Sequence, residues 1–398
     1  MNVKFSAKCV AVIAAGAMSM SLAACSGGSM DGSSSSNGSA ANGDTITLGS
    51  ITTNSGTAAA YGEAEVAGFK LAVDEINAKG GINGKKVKLE SMDDKGDATE
   101  ASNAFNKLAG DNNVLAVAGP TISATTAAVA PLADQSKLVT IAPAATSDSI
   151  ETGGYMFRTC FKDSYQGEIA AKFAAETLKV KKVAVLYGTG DPYSSGVGKA
   201  FADAAKKAGL EVVAEENSSS ADDTEYSSQL QKIQAAGAEF LYAPYYYSVA
   251  GPYIIPQARS VGYDGYVMGP DGYDGLKMTD DKSLYNNVLY TTHYSPDDTS
   301  NAKVQDFIKS YKKVNKNADP NTFTALAYDS VYMMAQAIEK AGKNATRESV
   351  RNAISGMSFE GVTGNFTLDK KGSPKKSVIV LEIKDGKPQY KTTIQPSK

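Results

Sequence analysis

The chain has 398 residues, of which 42% are hydrophobic and 21% charged, and its formal net charge is -3. These are ordinary globular values, and no basic patch interleaved with aromatics points to a nucleic-acid partner. A single histidine and three cysteines argue against a zinc cluster, and no sequence feature calls for a cofactor or another metal.

The first element is an export signal. Lys4 and Lys8 form a basic start, and residues 9–24 are apolar or small without a charge. This layout is a cationic n-region, a short h-region and small residues before a cut, and the run is short for a permanent membrane span. The ending Leu22-Ala23-Ala24-Cys25 resembles a bacterial lipobox, which implies that Cys25 is acylated and becomes the mature N-terminus. Residues 26–43 are almost entirely Ser, Gly, Asn and Ala, a composition that forms a flexible tether. Cys9 leaves with the signal, so Cys160 is the one remaining thiol and no internal disulfide is expected. No apolar run after residue 43 is long enough to cross a bilayer.

The rest exceeds what one hydrophobic core supports, so two lobes are expected. In the first, strands at 46–51, 87–92, 114–118 and 138–141 alternate with helices. Val66, Phe69, Val73 and Ile76 share a helical face that ends at Gly80-Gly81. Further helices are expected at about 99–109 and 124–136. The nearly continuous apolar run 114–118 suits a parallel strand covered on both faces.

A second series starts near Ser164. Helices are expected at 166–178, 197–208, about 226–236 and 254–260, with strands at 183–187, 211–214, 240–243 and 266–268. The class is α/β, with two doubly wound parallel-sheet lobes of similar plan. The last third carries helices at 304–314, 323–340 and 347–355, then strands at 378–383 and 390–394 around Asp385-Gly386. Helices alone cannot make a third lobe. The chain is therefore expected to cross back, cover the first lobe and finish in the second. Several crossings would form a hinge beside a cleft. The expected organisation is signal 1–24, tether 25–43, first lobe 44–163 with 294–370, and second lobe 164–293 with 371–398.

In open α/β sheets ligands bind beyond the carboxyl ends of strands. Gly119-Pro120-Thr121-Ile122-Ser123 and Pro143-Ala144-Ala145-Thr146-Ser147 follow two first-lobe strands. Small residues there leave the backbone reachable, and hydroxyls with helix-start N–H groups suit an anion. Read alone, each loop is more simply an ordinary helix cap. In the second lobe, Gly188-x-Gly190 lacks a third glycine and is crowded by Pro192 and Tyr193, which excludes a dinucleotide fingerprint. Five tyrosines between Tyr242 and Tyr253 sit at a strand end expected to face the cleft. Asp271 follows the last strand and offers one carboxylate, although alone a turn Asp is the simpler reading. Asp93, Asp94 and Asp97 miss the EF-hand spacing and read as a solvated turn and helix start. Cys160 and His293 would have to meet in the fold to form a nucleophile pair; a buried Cys and an exposed or hydrogen-bonded His is the simpler expectation.

Several segments together resemble the leucine/isoleucine/valine-binding family, the type I solute-binding proteins of ABC transporters. They are Tyr61-Gly62 with Gly68, the run Asp74-Glu75-Ile76-Asn77-Ala78-Lys79-Gly80-Gly81-Ile82-Asn83-Gly84, Asp93-Asp94, and Pro143-Ala144-Ala145-Thr146. Asp163-x-x-Gln166-Gly167, Gln257-Ala258-Arg259 and Met268-Gly269-Pro270 complete the set, in family order across nearly the whole body. The resemblance implies a Venus-flytrap fold that closes on an amino acid. It places Ser123, Ala144 and Thr146 at the ligand α-carboxylate and part of the ammonium. Asp271 stands where the family has Glu, with the same charge and one methylene less. Tyr61 and Tyr193 would wall the side-chain pocket with one of Tyr245, Tyr246 and Tyr247, of which Tyr246 is preferred. The family's small-loop disulfide positions read Gly96 and Ile122 here.

The expectation is therefore a monomeric, non-enzymatic receptor on the outer face of the cell membrane, held by a lipid on Cys25. It would bind a branched-chain amino acid between its lobes and deliver it to an ABC permease. The same fold could instead take an amide, urea or aromatic acid that lacks an α-ammonium. An exported enzyme such as an esterase is the third reading; the chain has no G-x-S-x-G elbow and one histidine for a triad.

Overall fold

Alternating apolar runs become alternating strands and helices in the computed structural model, which describes residues 45–396 apart from 151, 299 and 300. The export signal, Cys25 and the tether lie outside the described residues. The first lobe opens with β1 (Thr45–Thr52), α1 (Ala59–Ala78), β2 (Lys86–Asp93) and α2 (Ala98–Gly110). It continues with β3 (Val114–Ala118), α3 (Ser123–Ser136), β4 (Val139–Ala142) and β5 (Met156–Arg158). The sheet order is β2-β1-β3-β4-β5 and every pairing is parallel.

The second lobe repeats this plan. Its elements are α4 (Asp163–Lys172), β6 (Lys182–Gly188), α5 (Pro192–Lys207), β7 (Glu211–Ser218), α6 (Ser227–Ala235) and β8 (Phe240–Tyr242). Next come the one-turn α7 (Tyr247–Val249), α8 (Ile255–Ser260), β9 (Tyr266–Gly269) and β10 (Val288–Thr292). Strands β7-β6-β8-β9-β10 run parallel in the same winding order as the first sheet.

After β10 the chain returns to the first lobe with α9 (Ala302–Val314), α10 (Thr322–Ala341) and α11 (Arg347–Ile354). Met333, Met334 and Ile338 of α10 and Val350 and Ile354 of α11 join Phe69 and Val73 of α1 over Leu48 and Leu115 of the sheet. A Cβ at Gly68 would collide with the Thr324 carbonyl, so glycine sets the close approach of α1 to α10. Arg347 pins α11 beneath the sheet by donating to the carbonyls of Ala109, Asp111 and Val114. A two-stranded ribbon, β11 (Ser358–Gly361) with β12 (Gly364–Thr367), comes next. The chain then adds β13 (Val378–Lys384) and β14 (Lys387–Ile394) antiparallel to the second sheet beyond β10. Asp385 and Gly386 turn that hairpin with φ of 51° and 70°, as a primed two-residue turn requires.

Several local expectations need correction. The sequence patterns do not mark strands β5, β10, β11 and β12. Helix α5 starts at Pro192 with Asp191 as its cap, so Tyr193 is helical rather than in a loop. The expected helix 166–178 starts at Asp163 and becomes π-helical over Phe173–Leu178. Asp97 does cap α2, accepting from Thr99 and Glu100 N–H. Asp94, however, is fully buried rather than solvated, bonded to Thr53 Oγ1 at 2.6 Å and Gly96 N–H at 2.9 Å. Its carboxyl pKa is raised by burial, against those hydrogen bonds. No group of His, Cys, Asp and Glu among the described residues could hold a metal ion.

Candidate functional site

The carboxyl ends of both sheets face one cleft. On the first-lobe side α3 begins at Ser123, and first-turn N–H groups of a helix have no intrahelical acceptor. Ser123 Oγ accepts from the Ser147 N–H at 3.2 Å, which ties the α3 start to the loop after β4. Arg158, 1% exposed, fixes that loop from below. Its guanidinium donates to the Ala145 and Ser147 carbonyls at 3.0 Å each and to Ile150 at 3.3 Å. The small residues thus sit on a rigid frame that presents backbone and hydroxyl groups, with Ala144 half-buried at its edge.

From the second lobe Asp271 arrives just after β9, 2% exposed. Its Oδ1 accepts from the Tyr193 hydroxyl at 3.0 Å, and its Oδ2 lies 3.2 Å from His293 Nε2. The Asp271 N–H donates to Gln166 Oε1 at 3.1 Å, an oxygen that also accepts from Thr291 Oγ1 at 3.0 Å. This explains Gln166 in the Asp163-x-x-Gln166 motif. Gly272 donates its N–H to the Tyr193 hydroxyl at 2.9 Å. A Cβ there would come 2.6 Å from that hydroxyl, so Gly272 is required for the close approach.

Aromatic rings close the remaining side. Tyr61 stacks on Phe323 with centroids 3.9 Å apart, and Tyr193 lies parallel to Tyr246 at 5.3 Å. Tyr246 meets Tyr61 edge-on at 5.9 Å. Of the tyrosine triplet, Tyr246 lines the cavity. Tyr247 contacts the back of Tyr61 at 4.9 Å. Tyr245 turns into the second-lobe core against Tyr226 and bonds Ser218. The expectation that the tyrosine cluster as a whole faces the cleft is therefore too broad: Tyr242 is buried beside Phe201, and Tyr253 is on the surface.

Tyr61, Ser123, Ala144, Tyr193, Tyr246 and Asp271 come together around one cavity of about 20 Å³, together with Thr121, Ile122, Gly272 and Phe323. That volume holds about one water-sized sphere, so a larger ligand enters only when the lobes part. Thr146 does not line it. It is fully buried, its carbonyl accepts from the Asp163 N–H at 3.0 Å, and its hydroxyl has no hydrogen-bond partner among the described residues. Four lining residues were absent from the sequence-based set. Phe323 comes from the start of the returning helix α10, and Thr121 lies two residues before Ser123. Thr121 donates to the buried Glu65 carboxylate at 2.5 Å.

Cys160 and His293 do not form a nucleophile pair. The Cys160 thiol donates to the Ala145 carbonyl at 3.2 Å, and burial raises its pKa to about 12. His293 is buried and bonded to Asp271, with Phe161 stacked on its ring at 3.6 Å. A wider groove of about 1300 Å³ runs between α1, α9, α10 and the β11–β12 ribbon. Its Glu75 carboxylate is satisfied by the Tyr328 and Tyr332 hydroxyls at 2.6 and 2.8 Å. The positions named for a disulfide are neighbours, since a Cβ at Gly96 would lie 4.0 Å from Ile122 Cδ1. No helix among the described residues is long and apolar enough to cross a membrane.

Comparison with known proteins places this geometry. Residues 45–388 match the family described as periplasmic binding protein. The chain is 32% identical over 336 residues to the leucine-, isoleucine-, valine-, threonine- and alanine-binding protein of Pseudomonas aeruginosa, covering 83% of this chain and 87% of that protein. It is 33% identical, with a TM-score of 0.81, to the branched-chain amino acid transporter substrate-binding protein of Streptococcus pneumoniae solved with isoleucine, covering 88% of this chain and 100% of the other. A solute-binding protein from Rhodopseudomonas palustris solved with 3,4-dihydroxybenzoic acid shares the fold, at 24% identity and a TM-score of 0.78 over 89% of this chain and 99% of that one. The chain belongs to the periplasmic binding protein family, and its likeness there runs to the leucine/isoleucine/valine-binding solute receptors of ABC transporters.

Proposed function

We propose that this protein is an extracytoplasmic receptor that binds an aliphatic, branched-chain amino acid between its lobes. It hands the ligand to an ABC permease, as a monomer tethered through a lipid on Cys25. The observation that carries this reading is the pairing of unlike charge sites across the cleft. Asp271 is a buried carboxylate contacted by the Tyr193 hydroxyl and the His293 ring. Opposite it stand the α3 helix start and the loop 143–147. A zwitterion supplies the cation for the first and the anion for the second through charge-assisted hydrogen bonds. Ser123 and Ala144 serve the carboxylate side, with Thr146 buried in the loop behind them. Asp271 serves the ammonium. Tyr61, Tyr193, Tyr246 and Phe323 cover the side chain, whose burial contributes about 1.5–3 kcal/mol.

The lobe boundaries 44–163 with 294–370 and 164–293 with 371–398 belong to this reading. The packing of α10 and α11 on the first sheet, of α9 on α1 and α10, and of β13–β14 on the second sheet supports them. Ligand binding then shifts the population towards the closed form that a permease recognises. A thermal-shift panel of the amino acids tests the ligand class. Leucine, isoleucine and valine are expected to raise Tm, and Asp271→Ala is expected to remove the shift. A flat response across the panel would overturn the assignment.

A further inference from the structure

His293 is the one histidine of the chain, and nothing in the reading so far needs it. It comes directly after β10, where the chain leaves the second sheet. Its backbone N–H donates to Thr322 Oγ1 at 3.3 Å, at the start of α10 of the other lobe. The side chain is 0% exposed and has one polar partner, Asp271 Oδ2 at 3.2 Å. Its other nitrogen, Nδ1, is buried with no hydrogen-bond partner among the described residues.

Those contacts define the tautomer. A carboxylate oxygen only accepts, so Nε2 carries the proton and donates it. A second proton on Nδ1 would be buried without an acceptor, which is costly. The charged groups that act on the ring are Asp271 and Lys376: Asp271 favours protonation, while Lys376, which is itself buried, opposes it. Burial is the larger effect and pushes the His293 pKa down to about 4. The Tyr193 hydroxyl is the other neutral donor to Asp271.

We propose that His293, as a neutral Nε2–H donor, is the positioning residue that aims the Asp271 carboxylate at the ligand's ammonium group, and that it thereby selects ligands that carry one; this role rests on the reading of the cleft as an amino-acid site. Two neutral donors fix both carboxylate oxygens and leave the negative charge uncompensated. An imidazolium at this position would cancel that charge, and an ammonium ligand would lose its counter-ion.

Because the chain has a single histidine, a 15N-histidine spectrum reports on it without ambiguity. The expected spectrum at pH 7 shows a protonated Nε2 and a bare Nδ1, unchanged down to pH 5. A charged ring at pH 7, or a proton on Nδ1, would overturn the proposal. Calorimetric titration with leucine and with its des-amino analogue 4-methylpentanoate then tests selection in wild type, His293→Leu and His293→Gln. His293→Leu is expected to lose about 10- to 100-fold in leucine affinity with little change for the analogue, whereas His293→Gln, which keeps a neutral donor, stays within about threefold of wild type. Wild type that fails to distinguish the two ligands overturns the amino-acid reading itself. Wild type that distinguishes them while His293→Leu does so equally well overturns the role of His293 alone.

Discussion

Tyr61 of the first lobe donates its hydroxyl to the Gly272 carbonyl of the second at 2.5 Å, and the same oxygen accepts from the Tyr247 N–H at 3.0 Å. One hydroxyl therefore ties the first lobe to the loops after two second-lobe strands, β8 and β9, and burial holds its pKa well above the usual phenol range. Tyr61→Phe keeps the stack on Phe323 and removes both bonds. Each such bond contributes about 0.5–1.5 kcal/mol net, so closure is expected to weaken by roughly tenfold. Small-angle scattering of the ligand-bound variant is expected to show a larger radius of gyration than wild type. Unchanged scattering and affinity would mean that the latch contributes nothing to closure.

Arg158 holds three carbonyls of the loop 145–150 from beneath, with no carboxylate among those hydrogen-bond partners. Arg158→Met keeps the apolar stem and leaves the carbonyls unpaired, which costs about 1–3 kcal/mol for each buried acceptor left without a donor. The variant is expected to unfold at lower urea concentration and to bind ligand more weakly, because Ser147 no longer fixes Ser123. A variant with wild-type stability and affinity would remove Arg158 from the frame of the site.

The buried neutral histidine makes stability depend on pH. Its folded pKa is about 4, mainly through burial, against an ordinary 6.5 in the unfolded chain. Between these values the unfolded state binds the proton and the folded state does not, so His293 destabilises the fold as pH falls from 6.5 towards 4. The full effect is about 3 kcal/mol. Buried carboxyls with raised pKa act in the opposite sense: Asp274, raised by burial to about 6, takes up its proton in the folded state first. The difference between wild type and His293→Gln isolates the histidine. Urea melts at pH 7.5, 5.5 and 4.5 are expected to show wild type losing ground to the variant at each step. A constant difference would contradict the buried neutral ring.

Much of the frame is legible because parallel strands buried on both faces are short apolar runs. Val114–Ala118 is the clearest example, with every residue buried. The Asp385-Gly386 turn likewise announces its hairpin. Strand β5 is three residues long, beside Gly153 and Gly154, and β10 ends in Thr291 and Thr292, so neither stands out from a loop. At the site, Ser123, Ala144, Tyr193 and Asp271 lie just beyond recognisable strand ends, where an open α/β sheet places its ligand. Phe323 escapes that rule, and His293 meets it only through β10, a strand that does not stand out in the sequence. One lies at a helix start and the other on a crossing between lobes, and only the path of the returning chain brings them to the cleft. Asp94 looks solvated within an acidic run, but its burial is decided by Thr53 on a neighbouring strand end.

Titration of leucine into wild type and Asp271→Asn by calorimetry tests most directly whether the cleft holds a zwitterion by its ammonium. The amide keeps the size of the side chain and removes its charge. The expected result is clear binding to wild type and a loss of about hundredfold or more in the variant, the scale set by breaking a buried charge pair. Equal affinity for the two proteins would contradict it.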